Sequence, residues 1–128
     1  MGKYFQEEIE TASREKIEQI QTEGLLDVVK RVYENVPFYR KNGGKGVTPD
    51  DIKSLKDISK LPFLTKDDLR DAYPYGLLAV PLKNCVRIHS TSGTTGKRVV
   101  DFYTKKDIDM WEDGCARALW LPVEQMKM

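Results

Sequence analysis

The chain has 128 residues, with 21 Lys and Arg, 20 Asp and Glu and one histidine, so its formal net charge is +1. This balance argues against a nucleic-acid or anionic-membrane surface, because both need a clear basic excess. An apolar run of the roughly 18 residues that a membrane-spanning helix needs is missing. The acidic N-terminus is unlike a secretory signal. Cys85 and Cys115 fit neither a disulfide framework nor a zinc site, so we expect one globular domain in a reducing cytoplasm.

The apolar residues of the N-terminal third recur at helical spacing and predict a long helix over residues 13–35. Its predicted apolar face consists of Ile17, Ile20, Val28, Val32 and Val36. Pro37 is expected to end this helix, with Val36–Tyr39 as an extended exit, because the residue before a proline disfavours helical geometry.

Three later helices are predicted from their first residues. Thr48-Pro49-Asp50-Asp51 offers an N-cap threonine followed by proline. Thr65 and Thr104 are each followed three residues later by an aspartate, as in a capping box. The last helix is expected to place four residues on one stripe and to end at Pro122. These four are Ile108, Trp111, Cys115 and Leu119. We expect Trp111 to lie in the core and Cys115 to be a small buried hydrophobic residue.

Two short strands lie between these helices. The alternation of Val86-Arg87-Ile88-His89 is typical of a half-buried strand, and residues 99–103 form a second candidate. A polar segment, residues 90–98, joins them. The predicted class is α/β, or more broadly α+β: a helix-rich N-terminal segment, then a strand–loop–strand hairpin and a helix.

The segment Ser90–Lys97 has the chemistry expected of a phosphate-binding loop. Glycines allow positive φ and close approach of the backbone, so that successive N–H groups can surround an anion. Hydroxyls add donors and a lysine adds charge. The candidate residues are Ser90, Thr91, Ser92, Gly93, Thr94, Thr95, Gly96 and Lys97. A surface hairpin loop without a ligand remains the alternative, because loops of this composition are common.

Spacing excludes the best-known phosphate loops. A Walker A motif needs glycine where Thr91 stands and Ser or Thr where Arg98 stands, and it leads into a helix. A dinucleotide-binding fingerprint also leads into a helix, so the strand that follows this loop excludes it as well. His89 precedes the loop, and we expect it to pack or hydrogen-bond at the strand end, since no nucleophile or orienting group is evident. No catalytic residue and no metal ligand is assigned.

The sequence Ser-Thr-Ser-Gly-Thr-Thr-Gly-Lys at 90–97 closely resembles the phosphate loop of the adenylate-forming acyl-CoA synthetases. Flanking segments resemble the N-terminal part of the phenylacetate–CoA ligases. These are residues 31–40 (RVYENVPFYR), 61–63 (LPF), 66–70 (KDDLR), 73–76 (YPYG) and 87–89 (RIH). The resemblance extends over residues 4–119 and is specific in combination, whereas the loop alone would indicate only the superfamily.

The resemblance implies a two-step acid–thiol ligase of phenylacetate catabolism. An aryl carboxylate attacks the α-phosphorus of Mg-ATP, which yields an acyl-adenylate and pyrophosphate, and coenzyme A then displaces AMP. Residues 90–97 would hold the β- and γ-phosphates. ATP, Mg²⁺ and coenzyme A are the implied cofactors, and no nucleic acid or membrane is an expected partner.

The sequence also departs from the family pattern. Arg98 stands where the family usually has proline, which adds a charge and loosens the backbone. The family's adenine, aryl and metal sites and its small C-terminal domain come later than Leu119, so residues 1–128 are expected to be a truncated AMP-binding domain. Two functions are compatible with this. The chain is either a part of a ligase that is inactive alone, or a non-catalytic module that binds a nucleotide or a partner. In the first case we expect self-association through apolar faces that the rest of the ligase would cover.

Overall fold

The computed structural model describes residues 4–41, 46–93, 96 and 98–125. Its α-helices are α1 (Glu7–Glu10), α2 (Arg14–Asn35), α3 (Pro37–Arg40), α4 (Lys66–Asp71) and α5 (Lys105–Gln125). Short 3-10 helices cover Pro49–Asp51, Leu55–Lys60 and Leu82–Asn84. The strands are β1 (Cys85–Ser90) and β2 (Val100–Thr104). The predicted order of a helix-rich segment, a hairpin and a final helix is confirmed.

The two strands pair in an antiparallel sheet immediately before α5. The register sets Arg87 opposite Tyr103, Ile88 opposite Phe102, His89 opposite Asp101 and Ser90 opposite Val100. A register shift between Cys85 and Arg87 marks an irregularity at the start of β1. Because residues opposite each other share a face, His89 and Tyr103 lie on one face of the sheet and Ile88 and Phe102 on the other.

The predicted N-caps start the helices. The Ser13 hydroxyl accepts a hydrogen bond from the Lys16 N–H and opens α2. At Thr65, which opens α4, the N–H and the hydroxyl donate to Asp68 Oδ2 at 2.7 and 2.6 Å. At Thr104, before α5, the same two groups donate to Asp107 Oδ2 at 2.8 and 2.7 Å. These bonds satisfy donors that a helix start leaves unpaired.

Three local expectations were wrong. Val36 is extended, as predicted, but Pro37 opens the short helix α3, because its fixed φ suits a first helical position. Thr48 is an N-cap followed by Pro49, as predicted, but the helix that it opens is a 3-10 helix of three residues. The helix α5 continues through Pro122 to Gln125, although a proline inside a helix removes one backbone donor and crowds the preceding turn.

A small core gathers around the C-terminal half of α2. The buried apolar residues are Val29, Val36, Ile52, Val99 and Ile108. Val28, expected on the apolar face, is 44% exposed, whereas Val29 is 7% exposed. Val36 is buried and Val32 is half-buried, as predicted for this face, but Val29 and not Val28 is the buried residue one to two turns earlier.

In the described residues, no helix combines the length and the apolar character that crossing a membrane would require.

Candidate functional site

The predicted phosphate loop begins where β1 ends and closes where β2 begins. Beyond the last paired residues, the Thr91 N–H donates to the Val99 carbonyl at 3.0 Å, and the Val99 N–H donates to the Thr91 hydroxyl at 3.1 Å. These two bonds extend the hairpin by one step and fix both ends of the loop. Val99 is buried, so the base of the loop is anchored in the core.

Two glycines shape the loop as predicted. Gly93 has φ of 69° and Gly96 has φ of 129°, both in the region that residues with a Cβ rarely adopt. The Gly96 N–H donates to the Gly93 carbonyl at 3.2 Å and closes a turn between them. Ser92 is exposed and Gly93 is half-buried. The described part of the loop therefore has the positive-φ glycine geometry that the sequence predicts.

The structure brings together only some of the candidate residues. Ser90, Thr91, Ser92, Gly93 and Gly96 lie on this hairpin, with the Ser90 hydroxyl donating to the Thr91 carbonyl at 3.4 Å. Thr94, Thr95 and Lys97 lie outside the described residues, and their role stays a prediction.

His89 packs in an aromatic cluster, as expected for the residue before the loop. Its ring centroid lies 5.0 Å from that of Tyr103 and 5.8 Å from that of Trp111, and those two rings are 5.8 Å apart. Such spacings suit tilted and edge-to-face ring contacts. The cluster joins the end of β1 to α5 and so stabilises the entry of the loop.

The predicted stripe of α5 is only partly buried. Ile108 is in the core, but Trp111 is 48% exposed and Leu119 is 68% exposed. Cys115 is exposed and Cys85 is half-buried; both are free thiols. The expectation of a core Trp111 and a buried Cys115 was wrong: Trp111 contacts the sheet through His89 and Tyr103 but leaves about half of its surface exposed, and Cys115 lies one turn further along α5.

Hydrogen bonds lower the pKa of the carboxylate next to the hairpin. The hydrogen bond from the Thr104 hydroxyl lowers the pKa of Asp107 most, and the Thr104 N–H lowers it next. Desolvation raises this pKa, and the positive charge of Arg31 lowers it further. This carboxylate is committed to the start of α5, which leaves it unsuited to act as a general base.

A cavity of about 380 Å³ lies beside β2. Its walls come from α2, α3, α4, the segment 72–80 and β2, and they include Tyr39, whose pKa burial raises. Val99 and Val100 line it, but none of the described residues between 90 and 98 does.

Within the described ranges, no three or more His, Cys, Asp or Glu side chains are grouped to hold a metal ion.

Sequence comparison finds close relatives, although no family model matches the chain. The chain is 52% identical over 114 residues to a phenylacetate–coenzyme A ligase of Aromatoleum evansii, and the match covers 88% of this chain and 26% of the relative. It is 50% identical over 112 residues to the phenylacetate–coenzyme A ligase of Escherichia coli (strain K12), with coverage of 87% and 26%. The chain thus spans about a quarter of the length of the curated relatives it matches.

Structural comparison agrees. A 2-hydroxyisobutyryl-CoA ligase in complex with 2-HIB-AMP and CoA in the thioesterification state matches with a TM-score of 0.80 and 28% identity, over 93% of this chain and 26% of that chain. The same ligase in an open conformation matches with a TM-score of 0.78 and 26% identity. The expected relationship is confirmed: over most of its length, the chain is similar in sequence to a part of the phenylacetate–coenzyme A ligases and similar in fold to a part of an acyl-CoA ligase.

Proposed function

We propose that the chain supplies the phosphate-binding hairpin of an arylacetate–CoA ligase. In the proposed reaction, phenylacetate or a related aryl acid attacks the α-phosphorus of ATP, which releases pyrophosphate. The thiol of coenzyme A then displaces AMP from the acyl-adenylate. Residues 1–128 would form part of the large AMP-binding domain, working in the reducing cytoplasm that two free cysteines favour.

The observation that carries this proposal is the shape of the hairpin in a chain about half identical to phenylacetate–coenzyme A ligases. Gly93 and Gly96 have positive φ, and Thr91 ties the loop to β2. A loop held in this way presents backbone N–H groups to the departing pyrophosphate without reorganising, which is how fixed donors stabilise developing charge. The hydroxyls of Ser92, Thr94 and Thr95 and the Lys97 ammonium would add to these donors.

In this proposal Ser90–Lys97 would supply the phosphate contacts, and we assign no step of the reaction to Mg²⁺. Positioning of the acid, ATP and CoA together contributes about 7–11 kcal/mol in reactions of this kind. A chain that carries one of these contact sets is therefore expected to show no phenylacetate-dependent ATP–pyrophosphate exchange by itself.

The test is a chimera in which this chain replaces the matching 112-residue segment of the E. coli relative. We expect the chimera to catalyse phenylacetate-dependent ATP–pyrophosphate exchange. Lys97→Gln in the chimera should lower the exchange rate by about 100-fold, the typical cost of losing one donor to transition-state charge. The matched control is Lys83→Gln, an exposed lysine in the 3-10 helix before β1, which should leave the rate unchanged.

Two results would contradict the proposal. A folded chimera without exchange, whose Lys97→Gln variant still binds ATP as tightly, would show that the loop does not serve the reaction. The chain could also bind both ATP and adenosine while every chimera stays inactive. That result would favour the alternative of a non-catalytic nucleotide-binding module.

A further inference from the structure

The side chain of Arg98 folds back over the glycine turn of the loop. A methyl group placed on Gly93 would lie 2.7 Å from Arg98 Cγ, 3.4 Å from Arg98 Nε and 3.2 Å from the Gly96 carbonyl oxygen. The stem of Arg98 therefore occupies the space where a side chain of residue 93 would be. The Nε atom, where the guanidinium begins, lies 3.4 Å from the same methyl position.

This guanidinium is available for an anion. Arg98 is exposed, and among the described residues it takes part in no ion pair, whereas Arg14, Arg31 and Arg70 each pair with a carboxylate three or four residues away. With a formal net charge of +1 for the whole chain, this arginine at the edge of the glycine turn is not part of a generally basic surface.

We propose that Arg98 is a second phosphate-binding cation, which contacts the phosphate group held by the glycine turn. This inference rests on the proposed function of the loop. A guanidinium donates two parallel N–H bonds to phosphate oxygens, which a lysine at the same place cannot reproduce. The proline that the resemblance leads us to expect at this position would offer no donor at all. Arg98 thus makes phosphate affinity in this chain stronger than a proline at position 98 would allow.

Pyrophosphate titration of the full chain tests the proposal, followed by amide chemical shifts and by the Nε–H signal of Arg98. Arg98→Gln should weaken pyrophosphate binding about fivefold, the effect of roughly 1 kcal/mol expected for an ionic contact at a partly exposed site. Arg98→Pro should weaken it at least as much, and Arg98→Lys should recover only part of the affinity. The matched control is Arg87→Gln, an exposed arginine of β1 on the Tyr103 side of the sheet, with no expected change.

The Lys97→Gln variant separates this inference from the proposed function. If Lys97→Gln weakens pyrophosphate binding and Arg98→Gln does not, the loop binds phosphate and the inference about Arg98 is wrong. If pyrophosphate does not bind to the wild-type chain, both fail. If Arg98→Gln shifts the amides of Gly93 and Gly96 without ligand but leaves the affinity unchanged, Arg98 only covers the turn, and the inference is again overturned. A pyrophosphate-induced shift of the Arg98 Nε–H in the wild-type chain, together with weaker pyrophosphate binding by Arg98→Gln, supports the inference.

Discussion

Replacing Gly93 by alanine should impair phosphate binding while leaving the rest of the fold in place. Gly93 has φ of 69°, where an L-residue with a Cβ costs roughly 1–2 kcal/mol. The added methyl group would also lie 2.7 Å from Arg98 Cγ and 3.2 Å from the Gly96 carbonyl oxygen. The arginine is exposed and can rotate away, so most of the penalty comes from the backbone and the Gly96 carbonyl.

If the glycine turn is the conformation that binds phosphate, this penalty of roughly 1–2 kcal/mol lowers the affinity for pyrophosphate by about 5- to 30-fold. Displacing Arg98 adds to the loss. The assay is a pyrophosphate titration monitored by amide shifts, with a thermal melt of each variant by circular dichroism.

The matched control is Gly24→Ala in α2, where an added methyl group meets nothing within 4 Å. Alanine in a helix interior is favoured over glycine by about 1 kcal/mol, so this variant should melt at a higher temperature and bind pyrophosphate as the wild type does. An unchanged affinity of Gly93→Ala would refute the assignment of the turn as the binding conformation.

Three further predictions concern stability and association. Ile52→Ala, at a side chain only 2% exposed, should reduce the free energy of unfolding in urea by about 2–5 kcal/mol, and a loss below about 1 kcal/mol would contradict the identified core. The melting temperature should fall as the pH drops from about 5 to 2. Hydrogen bonds lower the pKa of four aspartates in the folded chain, Asp51, Asp57, Asp68 and Asp107, so the unfolded chain takes up protons first. Asp107→Asn should make this decline less steep, and an equally steep decline would argue against the cap at Thr104. Ile88→Lys, at a strand residue 57% exposed, should shift the chain towards monomer in sedimentation velocity, because exposed apolar strands favour self-association, and a monomeric wild type would contradict this.

The helix starts could be predicted from the sequence because they depend on neighbouring residues. Ser13, Thr65 and Thr104 each cap a helix through groups three residues away, so local sequence contains the whole signal. The hairpin was equally local, since alternation in β1 and the polar segment after it fix both strands and loop.

What could not be predicted depends on packing between distant residues. Trp120 packs against Phe5 with tilted rings, 5.7 Å between centroids, although these residues lie near opposite ends of the chain. The burial of Val29 in place of Val28 depends on the turns that α2 packs against, and periodicity alone cannot detect a difference of one residue. The exposure of Trp111 depends on how α5 lies against the sheet, which the apolar stripe of α5 does not reveal.

Within the candidate site, the composition of the loop predicted its glycine geometry correctly, because few residues other than glycine adopt a φ of 69° or 129°. The bonds between Thr91 and Val99 and the position of Arg98 over Gly93 were not foreseen. Each requires two residues on opposite sides of the turn to meet, which depends on the path of the loop and not on its residue types.

The most direct measurement of the central claim is an amide-shift titration of the wild-type chain with pyrophosphate, ATP and adenosine at two salt concentrations. We expect pyrophosphate and ATP to bind with similar affinity, in the millimolar range at about −4 kcal/mol, with shifts centred on Thr91, Ser92, Gly93 and Gly96. Binding should weaken as salt rises, and adenosine should cause no saturable shift. Saturable adenosine binding, or pyrophosphate shifts that avoid residues 90–97, would contradict the claim that this hairpin is a phosphate site.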